Sequence, residues 1–72
     1  MQRRRKLIFW RIEKRLRQKD IAQRLGITNS HYSSLENGRT SPSYELLAKF
    51  KSIFGVADVI DLFEKENEYY GN

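Results

Sequence analysis

The sequence has no cysteine, and only one proline, one histidine and four glycines among its 72 residues. Without cysteine, disulfides, cysteine-based zinc sites and thiol redox chemistry are excluded, so packing or a partner chain must stabilise so small a domain. The longest apolar run, Leu7 to Trp10, has four residues, whereas a helix needs about 20 apolar residues to span a membrane. Since Arg11 ends that run after four residues, we expect no secretory signal peptide in this sequence.

The length and the charge distribution limit the kind of protein. Seventy-two residues allow a single domain, residues 1–72. Residues 1–40 contain 11 Lys and Arg against 3 Asp and Glu, a net charge of +8, whereas residues 41–72 contain 3 against 6, a net charge of −3. This asymmetry indicates a polyanionic partner, either nucleic acid or an anionic membrane surface; a merely soluble surface is the alternative.

Apolar residues recur at spacings of three and four, and the strict alternation of a β-strand is missing. The pattern predicts a compact all-α domain with five helices, at residues 3–15, 18–25, 29–36, 44–54 and 58–67. We expect Thr28 and Ser43 to cap the third and fourth of these helices. Four aromatic residues at helical spacing are expected in the core: Tyr44, Phe50, Phe54 and Phe63.

The first helix is apolar on its outer side as well, through Ile8, Phe9 and Ile12. Either the last helix folds back over this side, or a second chain covers part of it. For a dimer contact we favour the last helix together with Tyr69 and Tyr70 of the tail.

Residues 18–36 have the pattern of two short helices joined by a tight turn. Ile21 and Leu25 form the inner face of the first helix, and Ala22 allows the second helix to approach closely. Gly26 permits the left-handed conformation that turns the chain. Three apolar residues then close the wedge: Ile27, Tyr32 and Leu35. The side chains left facing outward are Asn29, Ser30, Ser33 and Ser34.

Several hallmarks of a known DNA-binding family stand at matching spacings. They are Gln18, Ala22, Leu25-Gly26-Ile27-Thr28, Leu35-Glu36-Asn37-Gly38, Pro42-Ser43 and Gly55-Val56. From about Leu7 to Phe63, about four fifths of the chain, the sequence resembles the phage repressor and Cro-like, XRE-type helix-turn-helix family. The resemblance implies the five-helix lambda repressor-like fold, with double-stranded DNA as the partner.

The resemblance also implies roles for individual residues. The start of the third helix would enter the major groove and read bases through Asn29, Ser30, Ser34 and Ser33. Phosphate contacts would come from Gln18, Thr28, His31, Asn37 and Arg39. An ion pair between Arg11 and Glu36 would join the first and third helices, while Ala22 and Gly26 shape the turn.

The reading helix has an unusual composition for its role. Residues 29–37 contain no Arg or Lys, so this helix lacks the side chains that bind guanine in a bidentate manner. We therefore predict that specificity rests on pairing of Asn29 with adenine, on apolar contact with thymine methyl groups and on duplex shape. Affinity would come from the phosphates.

Two features of the first helix leave alternatives open. The run Arg3-Arg4-Arg5-Lys6, within residues 1–6, is either a basic arm that touches DNA or the solvated start of the helix. Arg15 stands where the family commonly has a glycine, so the helix either ends in a strained left-handed residue or runs on.

These observations predict a transcriptional regulator, a repressor that binds a two-fold related operator as a homodimer. It would be bacterial or phage-encoded and cytoplasmic, associated with the nucleoid. The alternative is an antitoxin or protein-interaction module whose last helix and tail, residues 66–72, hold a partner protein. With a single histidine, His31, and no set of nucleophile, base and orienting residue, we expect no enzyme, metal site, cofactor or small-molecule ligand.

Overall fold

The computed structural model describes residues 2–65, which form five α-helices and no strand. The helices are α1 (Arg5–Glu13), α2 (Gln18–Leu25), α3 (Asn29–Glu36), α4 (Tyr44–Phe54) and α5 (Val59–Leu62). The all-α fold class expected from the sequence is confirmed. The bounds of α2, α3 and α4 coincide with the predicted ones, because each of these helices has a strong local start signal or stop signal.

Those signals are visible as hydrogen bonds at the helix ends. Thr28 Oγ1 accepts from the main-chain N–H of His31 at 3.0 Å, and Ser43 Oγ accepts from that of Leu46 at 3.1 Å. Gly26 ends α2 in the left-handed conformation, with a φ of 74° that residues with a side chain rarely adopt. The turn between α2 and α3 is thus built from short-range interactions.

The core lies where α2, α3 and α4 meet the inner side of α1. The buried apolar residues are Leu7, Ile21, Ala22, Leu25, Tyr32, Leu35, Leu46, Phe50, Val59 and Phe63. Phe50 is the centre of an aromatic cluster, with ring centroids 5.1 Å from Trp10, 4.7 Å from Phe54 and 5.0 Å from Phe63. Three of the four aromatic residues expected in the core therefore pack there.

Tyr44 is the exception, because its side chain is 84% exposed. The expectation that it is buried was wrong. The buried positions of α4 are Leu46 and Phe50, one turn apart. Tyr44 precedes Leu46 by two residues, about 200° around the helix, and so points to the opposite side.

The last helix is shorter than predicted and ends at Leu62 instead of residue 67. Phe63 enters the core at 5% exposure, and its carbonyl accepts a hydrogen bond from Arg4 Nε at 2.8 Å, so it does not continue a helical ladder. Asp58 Oδ1 caps the start of α5 by accepting from the N–H of Asp61 at 3.1 Å. Residues 66–67 of the predicted helix lie outside the described residues.

The basic run at the start of the chain was expected to be either an arm that touches DNA or the solvated start of a helix. Arg4 fits neither alternative, because it is only 3% exposed. Its guanidinium donates to the carbonyls of Leu35, Thr40 and Phe63, and its N–H donates to the carbonyl of Glu36 at 2.8 Å. Burial lowers the pKa of Arg4 from its ordinary value. Arg4 is therefore neither part of a free arm nor a solvated helix start.

Gly38 shows how closely the chain start packs on the end of α3. A Cβ at this position would lie 1.8 Å from the carbonyl oxygen of Gln2, and Gly38 also has a φ of +77°. A side chain here is excluded both by the contact and by the backbone conformation.

The outer side of α1 remains exposed among the described residues, with Phe9 at 66% and Ile12 at 57%. Of the two alternatives for this side, covering by the last helix is contradicted within the described residues, since Ile60 is itself 62% exposed. The short α5 reaches only the start of α1, where Asp61 Oδ1 lies 2.9 Å from Lys6 Nζ. At the other end of α1, Arg15 has a φ of 60°, so the helix stops in a strained left-handed residue and does not run on.

Candidate nucleic-acid interface

The α2–turn–α3 unit presents α3 with its polar side outward. Tyr32 and Leu35 are fully buried against α2 and the core. Ser30 and Ser34, one turn apart, lie on the side of α3 opposite to these two residues. Asn29, the first residue of α3, is exposed. The predicted base-reading residues are therefore brought together at the start and on the outer side of one helix.

Gln2 and Arg4, in the basic chain start, pack against the far end of α3 from Asn29. Their contacts are with Leu35, Glu36 and Gly38, at the opposite end of the helix. The leading residues Asn29 and Ser30 are exposed. A duplex can therefore approach the leading residues of α3 without displacing the chain start.

Ser33 differs from the other serines in having a side-chain partner. It is half-buried, and its Oγ accepts from Asn37 Nδ2 at 3.4 Å. Ser33 thus links the reading helix to the turn that follows. Its hydroxyl hydrogen is still available to an outside acceptor.

An ion cluster ties α1, α2 and α3 together. The Glu36 carboxylate is 3% exposed. It accepts hydrogen bonds from Arg11 Nε at 2.6 Å and from Arg11 Nη2 at 3.2 Å. Gln18 Nε2, from the first residue of α2, donates to the same carboxylate at 2.9 Å. The pairing expected between Arg11 and Glu36 is present, and the hydrogen bond with Glu36 raises the pKa of Arg11.

The cluster also orients Gln18 for its predicted role. One hydrogen of the side-chain amide is used by Glu36, and the second can donate to an external acceptor such as a phosphate oxygen. The start of α2 and the end of α3 are therefore held in one geometry. As a result, Gln18, which is predicted to bind phosphate, has a fixed position relative to the predicted base-reading residues of α3.

Tyr32 lies beside this cluster and is fully buried. Its hydroxyl has no hydrogen-bond partner among residues 2–65. Burial raises the pKa of the hydroxyl, and the nearby negative charge of Glu36 raises it further. The neutral hydroxyl is strongly favoured in the folded protein.

The remaining predicted phosphate contacts fall into two groups. Thr28, Asn37 and Arg39 lie just outside the two ends of α3, and Thr28 and Arg39 are exposed. His31 lies on another side of α3, in a surface depression of about 400 Å³ that also includes Ser43 and Lys49 of the α4 region. His31 therefore faces the start of α4, on a different side of α3 from Ser30 and Ser34.

Arg4 is a structural residue of this interface that sequence reasoning missed. It holds the end of α3 through the carbonyls of Leu35 and Glu36. Nothing in the sequence distinguishes it from Arg3 and Arg5, because its partners are main-chain groups distant along the chain.

None of the helices formed by residues 2–65 has the length and apolar character needed to cross a membrane. No three of the His, Asp or Glu side chains in that range are grouped in a way that can hold a metal ion.

Comparisons with known proteins agree with the geometry. A helix-turn-helix family model matches residues 7–58. The chain is 45% identical over 62 residues to "HTH-type transcriptional regulator DdrOP3" of Deinococcus deserti, an alignment covering 86% of this chain and 46% of that protein. It is 33% identical over 63 residues to "Uncharacterized HTH-type transcriptional regulator MJ0272" of Methanocaldococcus jannaschii, covering 88% and 94%.

The chain thus spans about half the length of the first relative and nearly all of the second. No solved structure matches it significantly. Helix-turn-helix regulators are not enzymes, which agrees with the expectation from the sequence. With more than half of its residues matched by the family model, the chain belongs to the XRE-type helix-turn-helix family of DNA-binding transcriptional regulators.

Proposed function

We propose that this protein represses transcription by binding a two-fold related operator as a homodimer. The observation that carries the proposal is the exposed leading end of α3, with Asn29, Ser30 and Ser34 outward, held by the buried cluster of Glu36. A rigid helix with a polar outer side fits the major groove of B-form DNA. Occupying a promoter needs no further domain, which favours repression over activation.

The base contacts proposed for α3 are those of amide and hydroxyl groups. Asn29 can pair with the N6 and N7 edge of adenine, and each serine hydroxyl can donate or accept once. Selection of bound duplexes from a random pool tests this. We expect sites with recurrent adenine and thymine positions, and a consensus dominated by invariant guanines would contradict the assignment.

The phosphate contacts would flank the reading helix, with Gln18 on one side and Asn37 and Arg39 on the other. Each neutralised phosphate contributes about −0.9 to the slope of log affinity against log salt. Arg39→Ala should therefore weaken binding to all sequences alike and reduce the slope by about 1. Arg24→Ala is the matched control, because Arg24 is exposed at the opposite end of α2 from Gln18 and lies 5.8 Å from the Phe54 ring centroid.

For the dimer we propose the exposed apolar groove between α4 and α5. It has a volume of about 540 Å³ and includes Tyr44, Leu47 and Ile60. Tyr69 and Tyr70, which the sequence also suggested for this contact, lie outside the described residues. Sedimentation of the free protein tests the proposal, with Ile60→Glu expected to give a monomer that retains weak binding to a half-site.

The same groove supports the alternative, a module that holds a partner protein, since a second chain of either kind would cover Ile60. The two functions differ in their response to salt. DNA binding predicts a steep loss of affinity for duplex with rising salt, whereas a pure protein-interaction module predicts no duplex binding. Measuring duplex affinity at several salt concentrations separates them.

As a DNA-bound regulator, the protein would reside with the nucleoid.

A further inference from the structure

The chain leaves α3 through residues 37–40, which we call the α3 exit. It contains two of the residues proposed to bind phosphate, Asn37 and Arg39, of which Arg39 is exposed. The N–H of Arg39 donates to the carbonyl of Ser34, one turn back in α3, at 2.9 Å. This local hydrogen bond ties the exit to α3 but does not hold its last residue, Thr40.

A single nitrogen of Arg4 connects the two sides of the α3 exit. Arg4 Nη1 donates to the carbonyl of Leu35 at 2.5 Å and to that of Thr40 at 2.9 Å. The main-chain N–H of Arg4 donates to the carbonyl of Glu36 at 2.8 Å. Arg4 is itself held from another direction, because its Nε donates to the carbonyl of Phe63 at 2.8 Å. The shape of the exit is therefore set by a residue that lies far from it along the chain.

The chain start also packs behind the α3 exit. Gly38 is buried, and a side chain at this position would overlap the carbonyl of Gln2. The next residue, Arg39, is exposed. One side of the exit is therefore packed against the chain start, while Arg39 reaches solvent.

We propose that Arg4 is a positioning residue for DNA binding, which sets the affinity for duplex without touching it. Arg4 is only 3% exposed, so its guanidinium does not itself meet a phosphate. The inference rests on the proposed function, in which Asn37 and Arg39 bind phosphate. A loop that is already ordered loses less conformational entropy on binding than a loose one and so binds more tightly. Arg4 supplies that order to the α3 exit.

The base-reading end of α3 should keep its geometry without Arg4. Thr28 Oγ1 caps that end by accepting from the N–H of His31 at 3.0 Å. At the other end, side chains of α1 and α2 hold the Glu36 carboxylate, and neither contact involves Arg4. Replacing Arg4 should therefore weaken binding to every duplex by the same factor and leave the sequence preference unchanged.

The affinity test uses the duplex that the wild-type protein selects from a random pool and an unrelated duplex of equal length. Arg4→Met should weaken binding to both by about tenfold and reduce the salt slope by up to about 0.9, as loss of one phosphate contact does. Arg24→Met removes an exposed charge away from the interface, and Phe54→Leu disturbs the aromatic cluster. Both controls should bind like the wild type, with all proteins compared at a temperature at which circular dichroism shows them folded.

A milder variant covers the case in which Arg4→Met does not fold. Arg4→Lys keeps the positive charge but lacks the planar fork of donors, so it should show the same effects at smaller size. Exchange of the Arg39 N–H with solvent should also be faster in this variant than in the wild type. The His31 N–H, at the other end of α3, is the internal reference. Equal acceleration of both would indicate general loss of stability and overturn the inference.

A double-mutant cycle shows whether Arg4 acts through Arg39. Arg39→Ala should weaken binding much less in the Arg4→Met or Arg4→Lys background than in the wild type. Additive losses, unchanged affinity in both Arg4 variants, or an equal loss in Phe54→Leu would each overturn the inference while the proposed function stands. If the wild-type protein binds neither duplex, the proposed function fails and the inference fails with it.

Discussion

Glu36 receives the guanidinium of Arg11 through both carboxylate oxygens, with Nε 2.6 Å from Oε2 and Nη2 3.2 Å from Oε1. This two-pronged contact joins the end of α3 to α1, and Gln18 extends it to α2. A buried ion pair is weak evidence for net stability, because both charges lose their hydration. Its value here is geometric, since it sets where α2 begins relative to the reading helix.

Breaking this pair on one side should be costly. Arg11→Met keeps most of the side-chain volume but leaves the carboxylate of Glu36, at 3% exposure, without its cation. We expect the free energy of unfolding to fall by about 3 kcal/mol, measured by urea denaturation. Arg17→Met is the control, because the Arg17 side chain is 71% exposed and its solvent-screened pair with Asp20 adds little to stability. Equal losses in the two variants would mean that the buried pair has no special role.

Arg4 should matter far more than its neighbour Arg3. Arg4→Met removes the donors that bind the carbonyls of Leu35, Thr40 and Phe63. Buried acceptors left unpaired cost about 1 to 3 kcal/mol each, so we expect a loss of at least about 2 kcal/mol. Thermal unfolding of Arg4→Met and Arg3→Met measures the difference, and an unchanged midpoint for Arg4→Met would show that these hydrogen bonds do not stabilise the fold.

Replacing Arg15 by glycine should stabilise the protein. Arg15 has a φ of 60°, and the left-handed conformation costs a residue with a side chain about 1 to 2 kcal/mol. Glycine removes that strain but gains freedom in the unfolded chain, so we expect a net increase of about 0.5 kcal/mol in the free energy of unfolding. Lys14→Gly is the comparison, because Lys14 is right-handed and the same replacement there should destabilise. A loss of stability in Arg15→Gly would argue against strain at this residue.

Tyr32 should make stability depend on alkaline pH. The pKa of its hydroxyl is raised above the ordinary value of 10.0, chiefly by burial, so the folded state holds its proton more tightly than the unfolded state. The stabilising effect is complete below pH 10 and is lost as pH rises, at up to about 1.4 kcal/mol per pH unit.

Tyr32→Phe should remove that part of the alkaline slope. Tyr44→Phe is the control, since Tyr44 is 84% exposed and its replacement should leave the alkaline slope unchanged. Urea denaturation from pH 7 to pH 11 compares the two, and identical slopes would contradict the assignment to Tyr32.

The α2–turn–α3 unit could be predicted from the sequence because its determinants are close together along the chain. Gly26 adopts the left-handed conformation at the turn. Thr28 caps α3 by accepting a hydrogen bond from the N–H of His31, only three residues further along the chain. The pairing of Arg11 with Glu36 could be expected only from the family resemblance. Sequence reasoning failed at Tyr44 and at the end of α5, where the packing of Leu46 and Phe63 decided the outcome.

The sequence by itself determined the bounds of α2, α3 and α4, the turn and the outward side of α3, since capping and apolar spacing act over a few residues. Only the tertiary structure decided which arginine of the basic run is buried. Arg4 meets carbonyls that are 31, 36 and 59 residues away along the chain, and such partners leave no local signal in the sequence. Chemically identical side chains at Arg3 and Arg4 therefore have different roles because only Arg4 points to where three chain segments meet.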